Sequence, residues 1–170
     1  MWAQDCTPEN ITLTSQGDVD DFQKNHGPCD KAGNLSVTGA DIVNLDGLAN
    51  LIGVEDLRIE SNDVLANIDG LANLTSVGSN LVIRSNAALQ NVDGLANLTS
   101  VGWALAIISN SALTDIDGLA NLTSVGSVLI SGNKALTSID GLANLSDFVP
   151  IFDFAQDFDQ GVCRHDFEVW

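Results

Sequence analysis

The chain has 170 residues, 45% of them hydrophobic, enough for one folded domain with a real core and outside the composition of disordered segments. Six Lys and Arg against 23 Asp and Glu leave a formal charge of −17, which repels phosphate backbones and anionic lipid surfaces and argues against nucleic-acid partners. No apolar run approaches the roughly 20 residues that span a bilayer, so membrane insertion is not expected.

The opening Met1-Trp2-Ala3-Gln4 lacks the basic and apolar regions of a signal peptide, so an exported form would already have lost its signal. Cys6 and Cys29 bracket the first segment and Cys163 stands near the other end; the simplest arithmetic is a Cys6–Cys29 disulfide with one Cys left over. Closing that loop would stabilise the segment by roughly 3 kcal/mol on the chain-entropy model, and only in an oxidising compartment. A secreted or cell-surface location is therefore expected. Between these Cys, Ser15-Gln16-Gly17-Asp18 has the form of a capping box with Asp in place of Glu, ahead of Val19 and Phe22 on one helical face. Residues 1–34 read as a small helical N-terminal cap.

Beyond the cap, Asp-Gly-Leu-Ala-Asn-Leu recurs at Asp46, Asp69, Asp93, Asp117 and Asp140, 23 or 24 residues apart, a period typical of stacked repeats. Each unit also carries a short alternating stretch: Leu35-Ser-Val37, Leu57-Arg-Ile59, Leu81-Val-Ile83, Leu105-Ala-Ile107 and Val128-Leu-Ile130. These predict one short strand per unit. An Asn follows each strand from the second onward (Asn62, Asn86, Asn110, Asn133), and stacking would turn them into an asparagine ladder. In one unit, Leu81, Ile83, Leu89, Val92, Leu95, Leu98 and Val101 are expected to face inward. Burying them cannot offset the conformational entropy of ordering a whole unit, so units must stack on one another.

Stacking would also align the five Asp-Gly carboxylates, each neighbouring pair repelling by roughly 3 kcal/mol at an effective dielectric near 20. The expected offset is a backbone N–H donated to each carboxylate; a calcium column is the alternative, but the dense Gly-Asp spacing of calcium-binding β-rolls is missing. Asn-x-Ser/Thr triplets begin at Asn10, Asn34, Asn73, Asn97, Asn121 and Asn144, four of them one repeated turn element, which structural repetition explains better than glycosylation. The pairs Thr75-Ser76, Thr99-Ser100 and Thr123-Ser124 are expected on the outer surface as two hydroxyl columns, an array that could order ice. It is interrupted by Ile52-Gly53 and Ser146-Asp147.

Outward strand positions form two further columns: Ser36, Arg58, Val82, Ala106 and Leu129 in one, Thr38, Glu60, Arg84, Ile108 and Ser131 in the other, apolar in the middle. Trp103 breaks the repeat where neighbouring units place Ser79 and Ser127, and exposed aromatics of this kind favour contact sites. Arg58, Val82, Arg84, Trp103, Ala106, Ile108 and Leu129 are the expected ligand-binding residues. From Val149 the repeat stops, and residues 149–170, with five of the nine aromatic residues, read as a second cap or tail.

The run Asp93-Gly-Leu-Ala-Asn-Leu-Thr-Ser-Val-Gly followed by Leu105-Ala-Ile-Ile-Ser-Asn110 resembles the receptor L-domain type of leucine-rich repeat found in bacterial surface proteins, over residues 35–148. The opening, with Cys6, Ile11 to Phe22 and Cys29, resembles the lead-in of such proteins, whereas the tail departs from the pattern. The resemblance implies export and ligand recognition. The expected fold class is mainly β: a right-handed leucine-rich-repeat-like β-solenoid of about five 23–24-residue coils.

No catalytic pattern emerges, because the two His (His26, His165) lie in the flanks and no Ser-His-Asp, zinc-protease or phosphate-loop spacing occurs. Cys163-Arg164-His165-Asp166 lacks a second ligand pair, so neither a metal nor a cofactor is expected. The leading expectation is a module binding a protein or glycan. The alternatives are a self-assembling subunit, joined as a homo-oligomer through Cys163 and the aromatic tail, and an ice-binding protein using the Thr and Ser columns.

Overall fold

The computed structural model describes Cys6, residues 9–146 and the backbone of 149–152. The remainder of the expected C-terminal cap, with Cys163 and the aromatic tail, lies outside the described residues. The chain is mainly β, with few helices and one parallel sheet. Its strands are β1 (Asn10–Leu13), β2 (Lys31–Val37), β3 (Gly53–Glu60), β4 (Ser76–Val77), β5 (Asn80–Arg84), β6 (Ser100–Ile108), β7 (Ser124–Ser131) and β8 (Val149–Phe152). They pair in chain order, β4 and β5 both lying between β3 and β6 as two pieces of one position.

The register repeats the sequence. Leu35, Leu57, Leu81, Leu105 and Val128 are successive partners, as are Val37, Ile59, Ile83, Ile107 and Ile130, and both rows are buried. Parallel in-register pairing puts equivalent side chains one strand spacing apart, about 4.8 Å, so identical apolar residues nest against their own kind. The seven residues expected inward from one unit are all fully buried, with Leu65, Ile68, Leu71 and Leu74 and then Leu113, Ile116, Leu119 and Leu122 continuing the interior on either side. At the far end it thins, Ile139 and Leu145 being only partly buried.

The Asp-Gly-Leu triplets form five short 3₁₀ turns, Asp46–Leu48, Asp69–Leu71, Asp93–Leu95, Asp117–Leu119 and Asp140–Leu142. Glycine at the second position answers to packing between units. A Cβ on Gly70, Gly94, Gly118 or Gly141 would collide with the carbonyl of Leu45, Ile68, Val92 or Ile116 in the preceding unit. Only a hydrogen in that place lets the turns stack.

Asn62, Asn86, Asn110 and Asn133 are completely buried. The Nδ2 of Asn62 donates to Oδ1 of Asn86 at 2.9 Å, that of Asn86 to Asn110 at 3.2 Å and that of Asn110 to Asn133 at 3.2 Å. Each also donates to a strand carbonyl, Val37, Ile59 or Ile83. The ladder read from the sequence is thus the polar seam of an otherwise apolar interior. Just before these Asn, Ser61, Ser85, Ser109 and Gly132 all have φ between 56 and 73°, so one left-handed residue per unit turns the chain from the strand toward the seam.

The sheet begins inside the expected N-terminal cap. Ile11 and Leu13 of β1 pair with Leu35 and Val37 and are buried. Two short helices, α1 (Gln16–Asp20) and α2 (Phe22–His26), then bury Val19 and Phe22. Ser15 Oγ accepts from Asp18 N–H as the capping pattern predicts, but the Asp18 carboxylate turns back to Thr14, accepting from its N–H at 2.9 Å and its hydroxyl at 3.0 Å. Those bonds hold Asp18 below the usual carboxylate range. The Cys6–Cys29 disulfide ties the segment together.

Candidate functional site

The outward columns lie where alternation puts them. Arg58, Val82, Ala106 and Leu129 are successive Cα partners; so are Glu60, Arg84, Ile108 and Ser131. Arg58 and Arg84 are exposed, whereas Val82, Ala106, Ile108 and Leu129 are half-buried. Parallel strands bring all six onto one side of the sheet. Arg58 Nη1 stands 3.8 Å from Glu60 Oε1, a solvent-exposed pair of small energetic weight.

Trp103 is 73% exposed, well above Val43 (51%), Val64 (47%) and Ile52 (38%), the other large apolar residues open to solvent among the described residues. Its N–H donates to the Ser79 carbonyl at 2.8 Å, matching the alignment with Ser79. On the other side the register slips between Val101 and Ala104, so that Ala104 partners Ser127. The expected equivalence of Trp103 with Ser127 is corrected by that one-residue slip. Val101 and Leu105 are both buried, and strict alternation would put Trp103 between them on the same side. The register shift between Val101 and Ala104 breaks that alternation, and the indole stands open to solvent on the strand that bears Ala106 and Ile108.

The Thr and Ser columns also exist. Ser76, Ser100 and Ser124 are Cα partners, and Thr75, Thr99 and Thr123 are exposed. The three Thr hydroxyls are not idle, however: each donates to a main-chain carbonyl of the preceding unit, Ile52, Thr75 or Thr99, at 2.8, 3.0 and 3.2 Å. Their donors serve the stack, leaving acceptor lone pairs for solvent. The repeated Asn-Leu-Thr/Ser triplets are similarly occupied, since Nδ2 of Asn73, Asn97, Asn121 and Asn144 donates to Ala49, Ala72, Ala96 and Ala120.

The Asp column differs from expectation. Among the described residues no hydrogen bond reaches the carboxylates of Asp46, Asp69, Asp93, Asp117 or Asp140. Instead the Asp main-chain N–H donates to the side chain two residues earlier, Asn44, Asn67, Asn91, Asp115 or Ser138. The Asp is the main-chain donor of a local turn, not its side-chain acceptor. Desolvation, then the charges of Asp115, Asp69 and Asp117, raise Asp93 above its ordinary value. Among the described residues no group of three or more His, Cys, Asp or Glu is placed to hold a metal.

One polar column escaped the sequence reading. Asn10, Asn34 and Asp56 are Cα partners, and Asn80 extends the row. Asn34 Nδ2 donates to Asn10 Oδ1 at 2.7 Å and Asn80 Nδ2 to Asp56 Oδ1 at 3.0 Å. Spacings of 22 to 24 residues carried the signal, but Asn10 and Asn34 stand out first as glycosylation triplets. Comparison with family models returned no match, and comparison with curated protein sequences returned none either.

Proposed function

We propose that the chain is a right-handed, leucine-rich-repeat-like solenoid that works outside the cell, recognising a protein or glycan through the exposed face of its strands. One parallel strand per unit, buried equivalent residues and hydrogen bonds recurring at intervals of 23 to 25 residues support the solenoid. The Cys6–Cys29 disulfide is compatible with an oxidising compartment, and no helix among the described residues is long and apolar enough to cross a membrane.

The observation that carries the reading is Trp103, 73% exposed on the strand that also bears Ala106 and Ile108. An open aromatic on the same strand as an apolar strip flanked by Arg is the composition that interface hot spots favour. The test is a screen of glycans and surface-protein ectodomains, followed by Trp103→Ala and Ile108→Asp. The reading expects each variant to weaken binding by about tenfold or more at an unchanged melting temperature. Unchanged affinity in both variants refutes this surface.

A further inference from the structure

Two shallow grooves of about 530 and 250 Å³ open at the N-terminal end of the sheet, adjoining at Asn10 and Asn34. Of the expected ligand-binding residues they include only Arg58. Gly33, Gly53 and Gly78 line the larger groove; the missing Cβ of Gly33 and Gly78 admits the Glu9 main chain and the Glu55 carboxylate, while Gly53 faces nothing closer than the Ser76 hydroxyl at 3.4 Å.

The polar atoms facing this space alternate in kind. Asn34 Nδ2 is spent on Asn10 Oδ1, which leaves the Asn10 amide as a donor and the Asn34 carbonyl oxygen as an acceptor. Asp56 gives one oxygen to Asn80, leaving the other as an acceptor, and Arg58 adds a forked donor held only by a 3.8 Å pair. Among the described lining residues, Lys31 and Arg58 stand against Glu9, Glu55 and Asp56, a balance near neutral although the chain carries −17.

We propose that this groove is a binding subsite for a neutral oligosaccharide, sharing only Arg58 with the Trp103 surface. Hydroxyl groups both donate and accept, matching interleaved amides, carboxylate and guanidinium. An anion would meet three carboxylates, and a cation would meet Lys31 and Arg58. The column Asn10, Asn34 and Asp56 repeats at the strand spacing of about 4.8 Å, which suits consecutive sugars of one extended chain. Among the described lining residues there is no aromatic ring, so weak affinity, in roughly the millimolar range, is expected.

The test is titration of ¹⁵N-labelled protein with cellohexaose, maltohexaose, xylohexaose and mannohexaose, with a hexauronate as the anionic comparison. At least one neutral hexasaccharide should shift the amides of Asn10, Asn34 and Asp56 together. Asn34→Ala and Asp56→Ala, both at surface positions, should abolish the shifts. Gly53→Leu, whose Cβ meets nothing closer than the Ser76 hydroxyl at 3.4 Å, should block the groove, while Trp103→Ala leaves the shifts intact. No localised shift with any neutral sugar, shifts that survive all three groove variants, or preferential binding of the hexauronate overturns the proposal. Shifts confined to the Trp103 strand would overturn it while leaving the Trp103 surface standing.

Discussion

Asn86 satisfies more polar groups than any apolar substitute could. Its Oδ1 accepts from the N–H and the Nδ2 of Asn62, while its own Nδ2 donates to the Ile59 carbonyl and to Asn110. Asn86→Ala strands several buried partners at once, each costing about 1 to 3 kcal/mol. A loss of about 3 kcal/mol or more in urea unfolding is the expected outcome. Beside it, Ser85 sits at φ 56° where Gly132 serves the equivalent position at φ 73°. Ser85→Gly should therefore be neutral or stabilising by up to about 1 kcal/mol, and Gly132→Ala destabilising by about 1 kcal/mol, in thermal melts.

Asp93 has a folded-state value raised above 3.8 by desolvation and by Asp115, Asp69 and Asp117. Its ionised form is thus less favourable in the fold than in the unfolded chain. The destabilisation is complete above the folded value and relieved as pH falls through it. Asp93→Asn should raise the melting temperature at neutral pH, an advantage that disappears below pH 3.8 and shrinks with added salt. Equal melting temperatures for the two proteins at neutral pH and low salt would count against repulsion along the column.

At the scale of elements, the strands were legible because each repeats a local rule. Alternating Leu and Ile announce the strands, whereas the Asp-Gly period announces the repeat without the 3₁₀ form of its turns. What the glycine does was not legible, since its constraint is a carbonyl in the preceding unit, a contact no local pattern encodes. Gly94→Ala should cost about 1 to 3 kcal/mol through the collision with Ile68. Gly17→Ala, whose Cβ would meet only the Ser15 hydroxyl at 3.7 Å, should be tolerated, and comparing the two melts separates packing from backbone entropy. Strand β1 was missed although Ile11 and Leu13 stand 24 residues before Leu35 and Val37; without an Asp-Gly turn nearby, that period had no second marker. The same blind spot hid the Asn10–Asn34–Asp56 column. The place of Trp103 was misjudged on one side because a 23-residue offset replaces a 24-residue one inside β6, a slip that only pairing reveals.

Across the whole molecule, the two proposed contact surfaces depend on one arrangement: equivalent residues of successive units standing side by side, interior facing interior and columns facing out. Such a stack is held by neighbour-to-neighbour contacts, so its length is adjustable where its phase is not. Deleting residues 69–92, one full period of 24, joins Ile68 to Asp93, sets Asn110 in the place of Asn86 against Asn62 and keeps β6 with Trp103. Deleting residues 69–80 removes half a period and puts turn against strand.

Urea unfolding followed by circular dichroism, run on both deletions beside the full chain, tests the stacked arrangement most directly. The 24-residue deletion should keep a β spectrum and a cooperative transition, with a smaller slope in proportion to the surface removed, while the 12-residue deletion should lose both. Loss of structure in both proteins, or equal survival of both, would contradict the arrangement on which the two surfaces rest.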